Sequence, residues 1–253
     1  MAKSSALKAR CKLCGQDVSY GQLTRHLQKC VPDHPPASKG KPEPIRVVRL
    51  SASGMFLVLE LPAKSKFFDL DDALRAIWLE CCGHMSMFTV RENGEKVMYT
   101  ADAEGGDSEG FYGWLPREKP MSSRIADVLQ VGVKGEYEYD MGSTTHLKLQ
   151  VLFEHMAPWP RGKPKVRLLA RNLKPEYACD TCGQPAVHAC AECVMEEGDF
   201  QRLKLFCQEH AEQHIADEHE DDDCVLMPLG NSPRDGVCGY EGTEEDELPY
   251  VWT

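Results

Sequence analysis

The chain has 253 residues, 12 of them cysteine, and carries 29 Lys and Arg against 40 Asp and Glu for a formal net charge of −11. A hydrophobic fraction of 42% supports a buried core and excludes a wholly disordered chain. No apolar run approaches the length that spans a bilayer, and none follows Met1-Ala2-Lys3 as a leader, so no membrane partner and a reducing, cytoplasmic setting are expected. Charge is unevenly spread: residues 1–50 hold ten Lys and Arg and three Asp and Glu, whereas residues 192–253 hold three and eighteen. The head is therefore suited to approach a phosphate backbone, and the tail would be repelled by one.

Residues 1–31 read as a CCHC-type zinc finger. Cys11, Cys14, His26 and Cys30 follow the pattern Cys-x2-Cys-x11-His-x3-Cys, in which a knuckle offers two thiolates and a helix offers two ligands one turn apart. Residues 21–29 suit that helix, and so small a segment has almost no core without a metal. Lys8, Arg10, Lys12, Arg25 and Lys29 surround the ligands and would form a positive face, either a solvated basic surface or a binding face for DNA or RNA. Residues 32–44 are rich in Pro, Lys and Gly, which predicts a semi-rigid linker and an independently moving finger.

Residues 45–173 predict an α+β domain. Ile45–Leu50 and Met55–Leu61 are β-prone runs around a Ser-Ala-Ser-Gly break, suiting a strand pair or one interrupted strand. Asp69 is a candidate N-cap for a helix over 70–81, whose apolar residues fall on one stripe. Strands at 87–91 and 96–100 flank Asn93-Gly94, the signature of a tight hairpin. A helix at 123–129 and strands at 136–139, 145–154 and 166–171 complete a central mixed or antiparallel sheet with packed helices.

Residues 174–240 contain four further ligand pairs: Cys179 and Cys182, Cys190 and Cys193, Cys207 and His210, His214 and His219. Their order suggests a cross-brace, with the first and third pairs on one zinc and the second and fourth on another. About three zinc ions per chain follow from the twelve ligands at both ends. Cys224, Cys238 and His188 are spare ligands that could substitute or add a site. Residues 241–253 read as an acidic tail, in which Glu244–Glu247 and Tyr250–Trp252 either stay solvated, dock on a protein partner or mask the finger.

His84-Met85-Ser86-Met87-Phe88 after the helix, and Tyr137-Glu138-Tyr139-Asp140-Met141-Gly142 before a strand, resemble segments of the Ri-plasmid ORF-3-like proteins, often labelled transposon passenger proteins. The resemblance covers about residues 45–173 and implies a mobile-element setting without a defined activity. It departs from the family at Ser143-Thr144-Thr145-His146, where an acidic residue and a Trp commonly stand. Residues 231–240 look like a zinc-bearing branch of the same family.

His84, Asp140 and His146 are the constellation that could serve a metal-dependent hydrolase, but local roles in a helix end and a turn compete for His84 and Asp140. Cys81 and Cys82 are adjacent, so on a helix they would diverge, and they are expected to be half-buried core thiols. No phosphate-cradling loop, nucleophile elbow or His-Glu-x-x-His helix occurs, so no catalytic or organic-cofactor residue is assigned. The leading expectation is a non-enzymatic multi-zinc adaptor, its α+β body flanked by two small zinc-stapled modules, binding nucleic acid or a nucleic-acid-associated partner through the finger. The alternatives are a purely protein-binding module and, behind it, the hydrolase.

Overall fold

The computed structural model describes residues 7–103, 117–190, 192–193, 203–219, 226–242 and 248–252. It divides into two units, Met1–Leu74 with Met85–Leu173 and Asp246–Thr253, and Arg75–His84 with Lys174–Glu245.

The first unit is built on β1 (Lys8–Cys11), β2 (Asp17–Ser19), α1 (Tyr20–Asp33), β3 (Glu43–Ala52), β4 (Met55–Pro62), α2 (Phe67–Leu74), β5 (Ser86–Glu92), β6 (Glu95–Thr100), β7 (Arg117–Pro120), β8 (Lys134–Tyr139), β9 (Thr145–Ala157) and β10 (Arg167–Asn172). The strands form one ten-stranded sheet in the order β2-β1-β10-β4-β3-β9-β8-β5-β6-β7. The β6–β7 pair is parallel and the other pairs are antiparallel, which makes a large mixed sheet. Two-residue turns set both early hairpins. Ser53 and Gly54 have φ of 48° and 83°, and Asn93 and Gly94 have 50° and 92°, the left-handed pair that matches strand twist.

The finger does not stand apart. β1 pairs with β10, and α1 lays Leu23, Leu27 and Val31 over Val47, Phe56, Val58, Phe153 and Leu169 of the sheet. Pro32 and Asp33 still belong to α1, and Glu43 and Pro44 already belong to β3. The predicted independence of the finger is thus corrected: the strands flanking its Cys11–Gln16 turn form an edge of the sheet, and its helix contributes part of the core.

β4 is buried at all eight residues because both of its faces are covered. Along α2, Phe67 stacks on Tyr99 with centroids 4.1 Å apart and lies 5.1 Å from Phe88, which is 4.6 Å from Tyr137. The predicted helix over 70–81 is shorter at one end and starts earlier at the other. Asp69 lies inside the first turn and accepts the Lys66 N–H at 2.8 Å. After Leu74 the chain passes into a π turn at Arg75–Leu79, closed by Glu80 N–H to the Arg75 carbonyl at 2.9 Å.

The helix expected at 123–129 is a single 3-10 turn, Ile125–Asp127. Ser123 and Met121 give their carbonyls to Phe67 and Phe68, while Ile125 and Ala126 donate to Ser65 and Ala63. Val128 and Leu129 both donate to the Ile125 carbonyl, so the segment closes one turn.

Glu60 is fully buried between the Arg167 Nε at 2.6 Å and the His155 Nε2 at 2.8 Å. The Arg167 guanidinium lies 4.9 Å from the Trp252 ring, which packs edge-on to Trp159 at 5.1 Å. Leu168 donates its N–H to the Tyr250 carbonyl at 2.8 Å, and Leu248 and Trp252 are buried. The end of the predicted solvated tail is thereby corrected: Leu248 and Trp252 are buried, and Trp252 packs on its own unit. Residues 243–247, which include Glu244–Glu247, lie outside the described residues.

The second unit contains β11 (His188–Cys190), β12 (Leu205–Phe206), α3 (Gln208–Glu218) and β13 (Leu226–Pro228), with the sheet order β12-β11-β13. Its apolar cluster joins Cys190, Cys193, Phe206 and Ala211, with Leu226 beside them. Trp78, Met227, Leu229, Val237 and Tyr240 of this unit are buried as well. Trp78, within the segment Arg75–His84 of this unit, donates its indole N–H to the Asn231 carbonyl at 2.8 Å.

Candidate metal centres

Among the described residues, four groups of side chains could each hold a metal ion, with their ligand atoms all within 4.8 Å of one another: Cys11, Cys14, His26 and Cys30; Cys179, Cys182, Cys207 and His210; Cys190, Cys193, His214 and His219; Cys81, Cys82, His84 and Cys238. The first three are the sets that sequence spacing joins, with the cross-brace order in the second unit. The fourth joins residues that spacing leaves apart.

Both knuckles are the same turn. Cys11-Lys12-Leu13-Cys14-Gly15-Gln16 closes with Cys11 N–H to the Gln16 carbonyl and Gly15 N–H to the Cys11 carbonyl, each at 2.9 Å. Cys179-Asp180-Thr181-Cys182-Gly183-Gln184 repeats those bonds at 2.7 and 2.9 Å. Gly15 and Gly183 have φ of 74° and 73°, a conformation that a side chain would strain, so the glycine lets the chain turn back beneath its two thiols. His26 and Cys30 come from successive turns of α1, whose Leu23 and Leu27 fasten that helix to the sheet.

The distances are compatible with a tetrahedral ion. Bonds of ~2.3 Å to sulfur and ~2.05 Å to nitrogen place ligands at about 3.8 Å for S···S, about 3.6 Å for S···N and about 3.3 Å for N···N. The structure has Cys11–Cys30 and Cys182–Cys207 at 3.8 Å, Cys14–His26 and Cys190–His219 at 3.5 Å, and His214–His219 at 3.2 Å. A disulfide would need about 2.05 Å. All eleven cysteines among the described residues are free thiols.

Crowded thiols also resist ionising together. Burial, followed by the charges and hydrogen bonds of Cys11 and Cys14, pushes the Cys30 thiol up to about 12. Burial, then Cys190, pushes Cys193 up to about 11. Burial also acts to raise Cys179, but donors from the Cys207, Cys182 and Thr181 backbone outweigh it and lower this thiol to about 6. A cation placed among such groups relieves their repulsion and displaces their protons.

The other candidates fall differently. Cys81 and Cys82 are not core thiols diverging on a helix: the helical segment ends at Leu79, both lie in a bend, and Cys82 is exposed. His188 pairs its Nε2 with Gln208 at 2.9 Å, and Cys224 lies outside the described residues. The basic residues do not share one face. Ala9 and Cys11 of β1 point under α1, so Lys8 and Arg10 point to the opposite side of the sheet from the exposed Arg25 and Lys29. Arg10 is also held in a two-pronged pair with Asp17 at 2.7 and 2.9 Å.

The suggested catalytic trio is engaged separately. The His84 Nε2 lies 3.0 Å from Cys82 and 3.2 Å from Cys238. Asp140, at φ 66°, accepts the Gly142 N–H and the Ser143 hydroxyl in a turn, and His146 pairs with Glu138 at 3.0 Å. The Tyr137 hydroxyl of the Tyr-x-Tyr-Asp segment donates to the buried Asp71 carboxylate, which also accepts from Ser86, each at 2.7 Å. Among the described residues, no helix is long and apolar enough to cross a membrane.

No family model and no curated protein matches the chain. A protein of unknown function, MM3350 from Methanosarcina mazei Go1, has a crystal structure similar over 79% of this chain and 99% of its own, at 16% identity and a TM-score of 0.43.

Proposed function

We propose that the protein is a non-enzymatic multi-zinc scaffold for macromolecular contacts, in which three zinc ions staple an N-terminal finger and a C-terminal cross-brace. The observation that carries this reading is the agreement of ligand separations in those three groups with the edges of a zinc tetrahedron. Four protein ligands saturate each ion and leave no position for a reacting water, so the metals act by holding chain segments together.

Protein contact is the partner class better supported. The division of the basic residues between two sides, the Arg10–Asp17 pair and the net charge of −11 all weaken a phosphate-binding face. Nucleic-acid binding remains the second reading, carried by Arg25 and Lys29 one turn apart on the exposed side of α1.

Native mass spectrometry of the full chain, combined with mobility-shift titration against mixed DNA and RNA at low salt, tests both parts. At least three zinc ions and no shift are expected, and fewer than three would overturn the scaffold. A salt-sensitive shift lost on changing Lys12, Arg25 and Lys29 to Glu would move the assignment to nucleic acid.

A further inference from the structure

The fourth group shares a left-handed Cys-Gly turn with two of the three predicted sites. Every Cys-Gly dipeptide of the chain, at Cys14, Cys82, Cys182 and Cys238, places its glycine in the left-handed region, with φ of 74°, 76°, 73° and 67° for Gly15, Gly83, Gly183 and Gly239. Two of these turns belong to the zinc knuckles, and the other two supply Cys82 and Cys238. Their thiols lie 3.7 Å apart although 156 positions separate them, and Cys81 lies 3.7 Å from Cys82. The S···S separations match a tetrahedral edge of about 3.8 Å and are far from a disulfide.

The surrounding chain is built to hold this arrangement. Ser232 donates its hydroxyl to the Trp78 carbonyl at 2.5 Å and accepts the Arg234 N–H at 2.8 Å. Asp235 accepts the Gly230 N–H at 3.0 Å. Together with the Trp78 indole bond to Asn231, these contacts fix residues 230–235 beside the segment that carries Cys81, Cys82 and His84. Arg234 is fully buried and brings its Nη2 to 3.7 Å from the Cys81 sulfur. Three thiolates and a neutral imidazole around a divalent cation leave one negative charge, and a buried guanidinium beside a thiolate offsets it.

We propose that Cys81, Cys82, His84 and Cys238 bind a fourth zinc ion, and that it is the most exchangeable ion of the protein. Each of the other groups has at least one buried ligand, whereas here Cys82 and Cys238 are exposed and Cys81 and His84 are half-buried. An incoming chelator can therefore reach this ion without local unfolding. The site stands on its own geometry, and the three-zinc scaffold does not depend on it.

Zinc counting on the intact full-length chain, paired with release to a colorimetric zinc chelator, decides the matter. The parent is expected to carry four ions and C238S and H84N three each, with one equivalent leaving the parent first and that phase missing from both variants. A parent with three ions, or variants that keep the parent's count, would overturn the fourth site. Release of all parent zinc in one phase would overturn its exchangeability, and this measurement needs no folded variant. A parent count below three would instead strike the scaffold reading.

Discussion

The Lys12 backbone N–H donates to the Leu169 carbonyl at 2.8 Å, joining the Cys11–Gln16 turn to the strand β10. A finger attached in this way shares its fate with the sheet. Deleting residues 1–31 would uncover Val47, Phe56, Val58, Phe153 and Leu169, so the truncated chain is expected to aggregate or melt at lower temperature. Circular dichroism and light scattering check this, and a soluble, equally stable truncation would contradict it.

Leu27 is buried in that shared core, and Leu27→Ala should cost about 2–5 kcal/mol through lost contacts and a cavity. Denaturant unfolding should show the loss across the whole first unit. A change confined to the Cys11–Gln16 turn, with the sheet's own transition unmoved, would mean that finger and sheet unfold separately.

Glu60 is buried against Arg167 and His155. Glu60→Ala leaves a guanidinium without its carboxylate in the interior, and a loss of about 3–5 kcal/mol is expected because an uncompensated buried charge is costly. Equilibrium unfolding of the parent and variant provides the comparison. A loss below about 1 kcal/mol would imply that water reaches the pair.

Trp252 should behave as a core residue. Removing a buried Trp typically costs about 3–5 kcal/mol, and Trp252→Ala is expected near the low end because Arg167 and Trp159 can partly close over the space. Intrinsic fluorescence should shift on the first unit's unfolding transition. If the variant is as stable as the parent, the C-terminal aromatic is available to a partner.

His146 is 67% exposed and paired with Glu138, so His146→Ala should change stability by less than about 0.5 kcal/mol and leave the zinc count unaltered. Mass spectrometry and thermal melting check both outcomes. Loss of an ion would restore this histidine as a metal ligand.

Local chemistry made much of this protein legible from its residues. Ligands two or three residues apart must meet if a turn or one helical step brings them together, so the pairs at Cys11, Cys179, Cys190 and Cys207 could be read before any fold was known. Asn93-Gly94 announced its hairpin because few other residues accept two successive left-handed conformations. Alternation and β-branching likewise marked most strands of the large sheet.

Longer-range features needed the tertiary structure. The π turn at Arg75–Leu79 redirected Cys81 and Cys82 from their expected helical positions, and a left-handed Cys238 brought the third thiol to them from 156 residues away. The strand pairing of β1 with β10 likewise turned a predicted mobile finger into a sheet edge, and packing on Arg167 turned a predicted loose tail into core. Sequence spacing determines which ligands can share an ion locally, because covalent geometry limits their reach. Only the folded chain decides which distant segments meet, because that choice depends on the total apolar surface buried and the backbone bonds satisfied across the whole sheet.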